Sequence, residues 1–156
     1  MTGKTHLVGG VASALVVASA TSYNPTTLII SGAVGGLLPD ICHSGSKIGR
    51  KLPVVSRIVN IIFGHRTFTH SLLFLLIIWI LSETFLTNES ITYGLLTGMV
   101  SHFILDAATK NGIKLLYPAS LTVRFPITTR TGGAIEHIVL ALLTLVTLYY
   151  AKDIYI

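Results

Sequence analysis

Five stretches of this chain are nearly free of charge and approach the length of a bilayer crossing: residues 6–21, 26–39, 69–86, 91–108 and 134–151. A spanning helix wants about 20 apolar residues, with roughly 17 tolerated. The third, fourth and fifth stretches come close to that length. The second has 14 residues, or about 21 Å of helix, so it must thin the bilayer locally or extend past Pro39. Charged residues make up only 11% of the chain, and its mean hydropathy is +0.75. Soluble domains carry about 25% charged residues, so this chain cannot solvate the surface of a soluble fold. The fold class expected is all-α. The chain reads as a polytopic membrane protein, one domain over residues 1–156 with about five transmembrane helices. Gly32-xxx-Gly36 and Gly94-xxx-Gly98 give the second and fourth stretches small faces suited to close helix packing.

The connections set an orientation. The turn at Asn24-Pro25 and the link 87–90 hold no Lys or Arg, whereas the link 40–67 holds Lys47, Arg50, Lys51, Arg57 and Arg66. The link 110–133 adds Lys110, Lys114, Arg124 and Arg130. With Lys4, ten of the eleven basic residues fall on one side of a five-helix topology, and Lys152 is the exception. The positive-inside rule makes the basic side cytoplasmic, with the N-terminus inside and the C-terminus outside. The net charge of +5 is modest, and no nucleic-acid partner is expected. A competing reading takes Lys4, Val11–Val17 and Ala18-Ser19-Ala20 as a signal peptide. Cleavage there would remove His6.

Placing the polar residues on this topology gives a pattern. His6 begins the first helix, and Asp40 and His43 follow the second. His65 and His70 bracket the start of the third. His102 and Asp106 end the fourth, and Glu136 and His137 begin the fifth. All six histidines and three acids therefore share the inner face. Glu83, Glu89 and Asp153 lie at the other end as ordinary solvated charges. His102-x3-Asp106 projects from one helical face. Glu136 and His137 point about 100° apart. Mixed imidazole and carboxylate donors favour zinc, with manganese or iron as alternatives. Nine candidate metal ligands (His6, Asp40, His43, His65, His70, His102, Asp106, Glu136 and His137) imply two or more ions, with some side chains orienting others. A single interfacial histidine is usually just a satisfied polar residue. Ionisable residues inside a membrane segment, such as His102 and Asp106, mark function because burying them unpaired is costly.

Other residues carry weaker signals. Cys42 reads as a small apolar filler rather than a ligand. Thr67, Thr69, Ser71 and Ser101 orient ligands or cap helices. Lys4 and Arg66 are placed equally well to meet an anionic substrate or to anchor the inner face. Residues 53–63, PVVSRIVNIIF, form an amphipathic segment expected to lie flat on the inner surface, where Lys51 and Arg57 meet anionic lipid.

The stretches MTGKTHLVGG, GGLLPDICHSGS, GHRTFTHSLL, SHFILDAATKNGIKLLYP and GGAIEH resemble the LexA-regulated, membrane-bound, metal-dependent hydrolase family of the inner membrane. That family is similar, distantly, to the zinc-dependent phospholipase C and P1 nuclease superfamily. The resemblance covers nearly the whole chain. It implies an all-α metallohydrolase with ligand roles for His6, Asp40, His70, His102, Asp106 and the Glu136–His137 pair, and His65 fits the family's first histidine. Two departures separate the chain from the soluble superfamily. It begins Met1-Thr2 rather than with a tryptophan whose amino group binds metal, and Glu136 adjoins His137 where a His-x3-Glu pair belongs.

The activity expected is hydrolysis of a phosphoester in a phospholipid or lipid-like substrate by metal-activated water. Asp40 or Glu136 would accept the proton, and Lys4 and Arg66, with Arg124 or Arg130, would balance phosphate charge. A carboxylic ester or amide hydrolase would use the same parts. A metal or proton transporter is the rival from another class, although transporters tend to bind near the midplane. A structural protein whose histidines only hydrogen-bond is a third reading.

Overall fold

The computed structural model describes residues 1–64 and 66–155; His65, a candidate ligand, lies outside them. The chain is all-helical. In order it forms α1 (Gly3–Ala20), α2 (Pro25–Gly35), a 3-10 turn (Leu38–Cys42), α3 (Lys47–Lys51), α4 (Pro53–Phe63), a second 3-10 turn (Phe68–His70), α5 (Leu72–Phe85), α6 (Glu89–Ala107) and α7 (Ala134–Tyr155). Two isolated bridges, Thr109 with Thr129 and Ile113 with Val123, tie together the long connection between α6 and α7.

The helix starts follow local chemistry. Asn24 caps α2 by accepting from Thr27 N, with Pro25 at the first helical position. Pro is pre-set for that position because its missing N–H would have no partner there. Asn88 caps α6 through Ser90 N, and Ser71 caps α5 through Phe74 N. Each cap side chain satisfies one of the orphan N–H groups at a helix start.

Three helices form the centre, and small residues decide how closely they meet. On α1 the stripe His6, Gly10, Ala14 and Ala18 is buried; on α6 the stripe Gly94, Gly98, His102 and Asp106 is buried. Residues four apart share a helical face, so each stripe runs from small residues directly into polar ones. α2 lies between them. A Cβ on Gly32 would sit 2.6 Å from Ala14 Cβ and 2.8 Å from the Gly10 carbonyl oxygen. A Cβ on Gly98 would sit 2.7 Å from Gly36 N and collide with the Gly32 carbonyl oxygen. The backbones are thus in direct contact, as the two Gly-xxx-Gly patterns predict. α5 packs on α6 around Met99, Phe103, Ala107 and Ile113. α7 packs along α1, and Glu136 is its one buried residue among those described.

The exterior is apolar. Trp79, Ile80 and Phe85 of α5 and Ile138, Leu142, Leu145 and Tyr149 of α7 are exposed, more contiguous apolar surface than a soluble monomer leaves open. The expectation of five crossing helices is met only in part. Two segments, Pro25–Cys42 and Ala134–Tyr155, are long and apolar enough to cross by length and composition. The first joins α2 to its 3-10 turn, so the short second stretch does extend past Pro39. α5 is apolar but has only 14 residues. α1 and α6 have the length, but Lys4 and His6 in one and Glu89, His102 and Asp106 in the other lower their apolarity. The residues that build the polar cluster thus weaken the crossing signal of the helices that carry them.

α4 exposes Val54, Ile58 and Ile61, the last at 75%. Its other face packs: Ser56 is fully buried, Phe63 stacks on Phe68, and Asn60 Nδ2 donates to the Cys42 carbonyl at 2.7 Å. Its exposed apolar residues fall in the segment that the sequence expects on the membrane surface.

Candidate metal centre

One end of the helix bundle gathers the start of α1, the end of α2, the start of α5, the end of α6 and the start of α7. The opposite end carries the Tyr23–Tyr93 stack and the Thr26–Tyr155 contact. The grouping of polar residues at one end of the bundle follows from this alternation.

Asp106 is the hub and is fully buried. Its Oδ1 meets the Met1 amino group and lies 3.2 Å from His6 Nε2. Its Oδ2 lies 3.1 Å from Arg66 Nη2, 3.5 Å from His70 Nε2 and 3.7 Å from His102 Nε2. His6 stacks on His102 with ring centroids 3.7 Å apart. Asp40 reaches in from the 3-10 turn after α2, its Oδ1 lying 3.9 Å from both His70 Nε2 and His102 Nε2. Side chains at i and i+3 of a 3-10 helix eclipse one another, but His43 lies just past this turn in extended conformation. Asp40 therefore faces in while His43 faces the entrance.

Two overlapping groups have donor atoms within 4.8 Å of one another: His6, Asp40 and His102, and His70, His102 and Asp106. The tautomer of His102 is fixed by its surroundings. Its Nδ1 lies 2.8 Å from the Gly36 carbonyl oxygen, which can only accept, so Nδ1 carries the proton. Nε2 is left with its lone pair aimed into the cluster, 3.1 Å from His70 Nε2. A backbone acceptor behind an imidazole is the arrangement that orients metal-binding histidines. Both nitrogens of His6 and Asp106 Oδ2 are buried without a hydrogen-bond partner. His6 Nε2 is near Asp106 but out of line for a hydrogen bond. Buried polar atoms are nearly always satisfied; Asp106 Oδ2 has the Arg66 ion pair, and the inward-facing His6 nitrogens fit a cation beside them.

Glu136 is differently employed. Its Oε1 accepts from Thr2 N and Thr5 Oγ1, both at 2.6 Å, and its Oε2 from Gly132 N at 2.7 Å. It clamps the start of α1 to the start of α7 and is not among the grouped donors. His137 is exposed, its Nδ1 held by the Gly133 carbonyl at 2.9 Å. Of the nine residues proposed as ligands, the structure draws together five: His6, Asp40, His70, His102 and Asp106. His43, Glu136 and His137 line the cavity above instead.

That cavity has a volume of about 650 Å³ and lies over the cluster, with Lys4, Lys47, Arg50 and Arg66 in its wall. Asp40 faces both spaces. Lys4 and Arg66 are where an anion would meet them; Arg124 and Arg130 are exposed and outside the lining. Arg66 holds a left-handed backbone, φ 59°, which non-glycine residues adopt at a cost and which clusters at functional sites. Its Nη1 donates to Thr109 Oγ1 at 2.9 Å, so the guanidinium is held on Asp106 from two sides.

Sequence reasoning missed several parts. The Met1 amino group lies in the cluster. Lys47 and Arg50 face the cavity, although their charge reads as plain anchoring. Cys42 is buried, its thiol directed to the Pro39 carbonyl at 3.5 Å, with His70 beside it. The signal for Lys47 and Arg50 was their spacing within ten residues of Asp40, on a short helix that Ser46 caps.

The model of the YdjM inner membrane protein family matches residues 1–155. This chain belongs to that family. It is 53% identical over 150 residues to the Bacillus subtilis protein YvsG, described as uncharacterized, covering 96% of this chain and 94% of that protein. It is 32% identical over 142 residues to the Escherichia coli inner membrane protein YdjM, covering 81% of this chain and 70% of that protein. No solved structure matches the chain. Membership in this family agrees with the inner-membrane location read from the sequence. The family names carry no chemistry, so the hydrolase resemblance remains an expectation.

Proposed function

We propose that this YdjM-family protein is a membrane-embedded, metal-dependent hydrolase that cleaves a phosphoester in a phospholipid or similar amphiphile. The observation that carries this reading is the stack of two layers: buried donors with unpartnered atoms below, and a cation-walled cavity above. Catalytic zinc keeps three protein ligands and an open position, so the five grouped donors suffice for one ion with a carboxylate to spare. His70, His102 and Asp106 would hold it, with His6 beside them. Bound there, a divalent metal would polarise a phosphoryl oxygen and make water acidic enough to react near neutral pH.

The protein's own groups supply the rest. Asp40 sits between the cluster and the cavity, where it can take a proton. Glu136 has each oxygen engaged and serves as a clamp. Lys4, Lys47, Arg50 and Arg66 would seat the phosphate. A carboxylic ester or amide could use the same parts, but four cations around the cavity favour a phosphate. The transporter reading has less support, since the donors sit at one end of the bundle rather than midway.

In this reading α1, α2 with its 3-10 turn, α5, α6 and α7 cross the bilayer, with the donors on the cytoplasmic side. The support is the placement of ten of eleven basic residues at the donor end. Asn88→Cys and Lys110→Cys test it. In intact spheroplasts a membrane-impermeant maleimide should label the first and spare the second until the membrane is opened. The reverse order would invert the topology.

A second test addresses the cations. Lys47→Glu with Arg50→Glu should raise KM for a phosphoester substrate about 10–100-fold, since each charge-assisted hydrogen bond is worth roughly 1.5–3 kcal/mol. kcat should change far less, because these groups would bind ground and transition states alike. Initial rates over a substrate series decide it, and an unchanged KM would move the anion elsewhere.

A further inference from the structure

A second cavity of about 460 Å³ lies between α1, α6 and α7. α6 and α7 each pack along α1 and diverge from one another, leaving a cleft. Gly9, Ala12 and Ser13 form its floor because they are small. Val100 on α6 and Leu143 and Val146 on α7 form its walls. It opens on the apolar exterior and lacks any charged residue in its lining.

The cleft begins one helical turn along α1 and α7 from the polar cavity. Thr5 and Leu140 line the polar cavity, while Gly9 and Leu143 line the cleft. Those pairs are four and three residues apart, one helical turn. Leu105, next to the hub Asp106, also faces the cleft. A ligand with an anionic end in the polar cavity and an apolar tail in the cleft would span that one turn, beside the Thr5–Glu136 contact. The volume falls within the ~300–1,000 Å³ of small-molecule sites. A helix is about 10–12 Å across, so a cleft of this size holds roughly one turn of one. It suits a single chain better than a second protein.

We propose that the cleft takes one acyl chain of an anionic phospholipid whose phosphate lies among Lys4, Lys47, Arg50 and Arg66. The headgroup half of this proposal rests on the reading of the polar cavity as a phosphate site; the acyl half rests on the cleft itself. Nothing here requires that the lipid be cleaved.

The test uses the full-length protein in phosphatidylcholine vesicles containing phosphatidylglycerol with a diazirine in one acyl chain. After illumination, labelled positions are mapped by mass spectrometry. Labelling around Ser13, Val100 and Leu143 should exceed that on the outer face of α5, at Leu76, Trp79 and Ile80, at least fivefold. Excess unlabelled phosphatidylglycerol should abolish the difference. Ser13→Trp fills the cleft from its floor, and Val100→Trp fills it from the α6 wall; either should remove the excess labelling while leaving α5 labelling unchanged. Lys47→Glu with Arg50→Glu should lower it as well. Equal labelling of cleft and α5, or excess labelling that persists in both tryptophan variants, would overturn the proposal. Because no turnover is read, specific labelling in a protein without hydrolytic activity would sustain the lipid site and sink the hydrolase reading.

Discussion

Asp106→Asn is expected to empty the metal centre. Protein purified in detergent without chelator should contain about one divalent ion per chain, and the variant less than a tenth of that by elemental analysis. Hydrolysis of a phosphoester substrate should fall at least a thousandfold, in line with losing a centre that both binds and activates. The carboxylate has a second task, which complicates the variant. It neutralises Arg66 and the Met1 amino group in a buried setting, and breaking a buried ion pair by removing one partner costs about 3–5 kcal/mol. Loss of metal could then follow from loss of fold. His6→Gln separates the two. His6 is buried with neither nitrogen hydrogen-bonded, and its nearest carboxylate oxygen, Asp106 Oδ1, keeps the Met1 amino group when His6 is replaced. This variant should unfold at the wild-type temperature yet bind metal at least tenfold more weakly. Full metal content in both variants would reject the centre and leave the imidazoles a structural role.

Gly98→Leu is expected to abolish the folded bundle. Even a Cβ at this position collides with the Gly32 carbonyl oxygen and sits 2.7 Å from Gly36 N. Those atoms belong to backbone, which cannot rotate aside as a side chain can. Overpacking a core usually costs about 1–3 kcal/mol, and more where nothing can yield. Gly98→Ala should lower the unfolding temperature clearly, and Gly98→Leu should leave no cooperative transition in detergent. Gly3→Ala is the control. A Cβ there meets nothing closer than 3.9 Å, and alanine in a helix is favoured over glycine by about 0.8–1.0 kcal/mol, so the variant should be neutral or slightly more stable. If Gly98→Leu melts like wild type, α2 and α6 do not meet through backbone contact. Metal binding would be lost with the contact, because the same α6 stripe carries His102 and Asp106.

Much of the site is legible in the sequence for one reason: its residues sit at helix ends, and the order of helices dictates which ends meet. His6, Asp40, His70, His102 and Asp106 can be placed at one end, together with His43, His65, Glu136 and His137, by counting alternations, with no knowledge of packing. Charge placement supports that count independently. The spacing of Gly94, Gly98, His102 and Asp106 also reveals that one face of α6 serves close packing and ligation together.

Other features are not legible because they depend on side-chain direction at chain reversals. The sequence places Asp40 and His43 as equals, three residues apart. The 3-10 turn sends Asp40 inward, and the extended backbone that ends it leaves His43 at the entrance. Glu136 and Asp106 look equivalent as inner-face acids. Only the packing of α7 on α1 brings Thr2, Thr5 and Gly132 onto Glu136 and withdraws it from the donors. The cleft between α6 and α7 is invisible to any periodicity, since it arises where two helices diverge. What the sequence determined by itself is the helical class, the alternation of ends and the polarity of each end, because these follow from composition along a line. The tertiary structure alone decided which donors converge, since convergence within a few ångströms depends on backbone approach at glycines and on the geometry of two short turns.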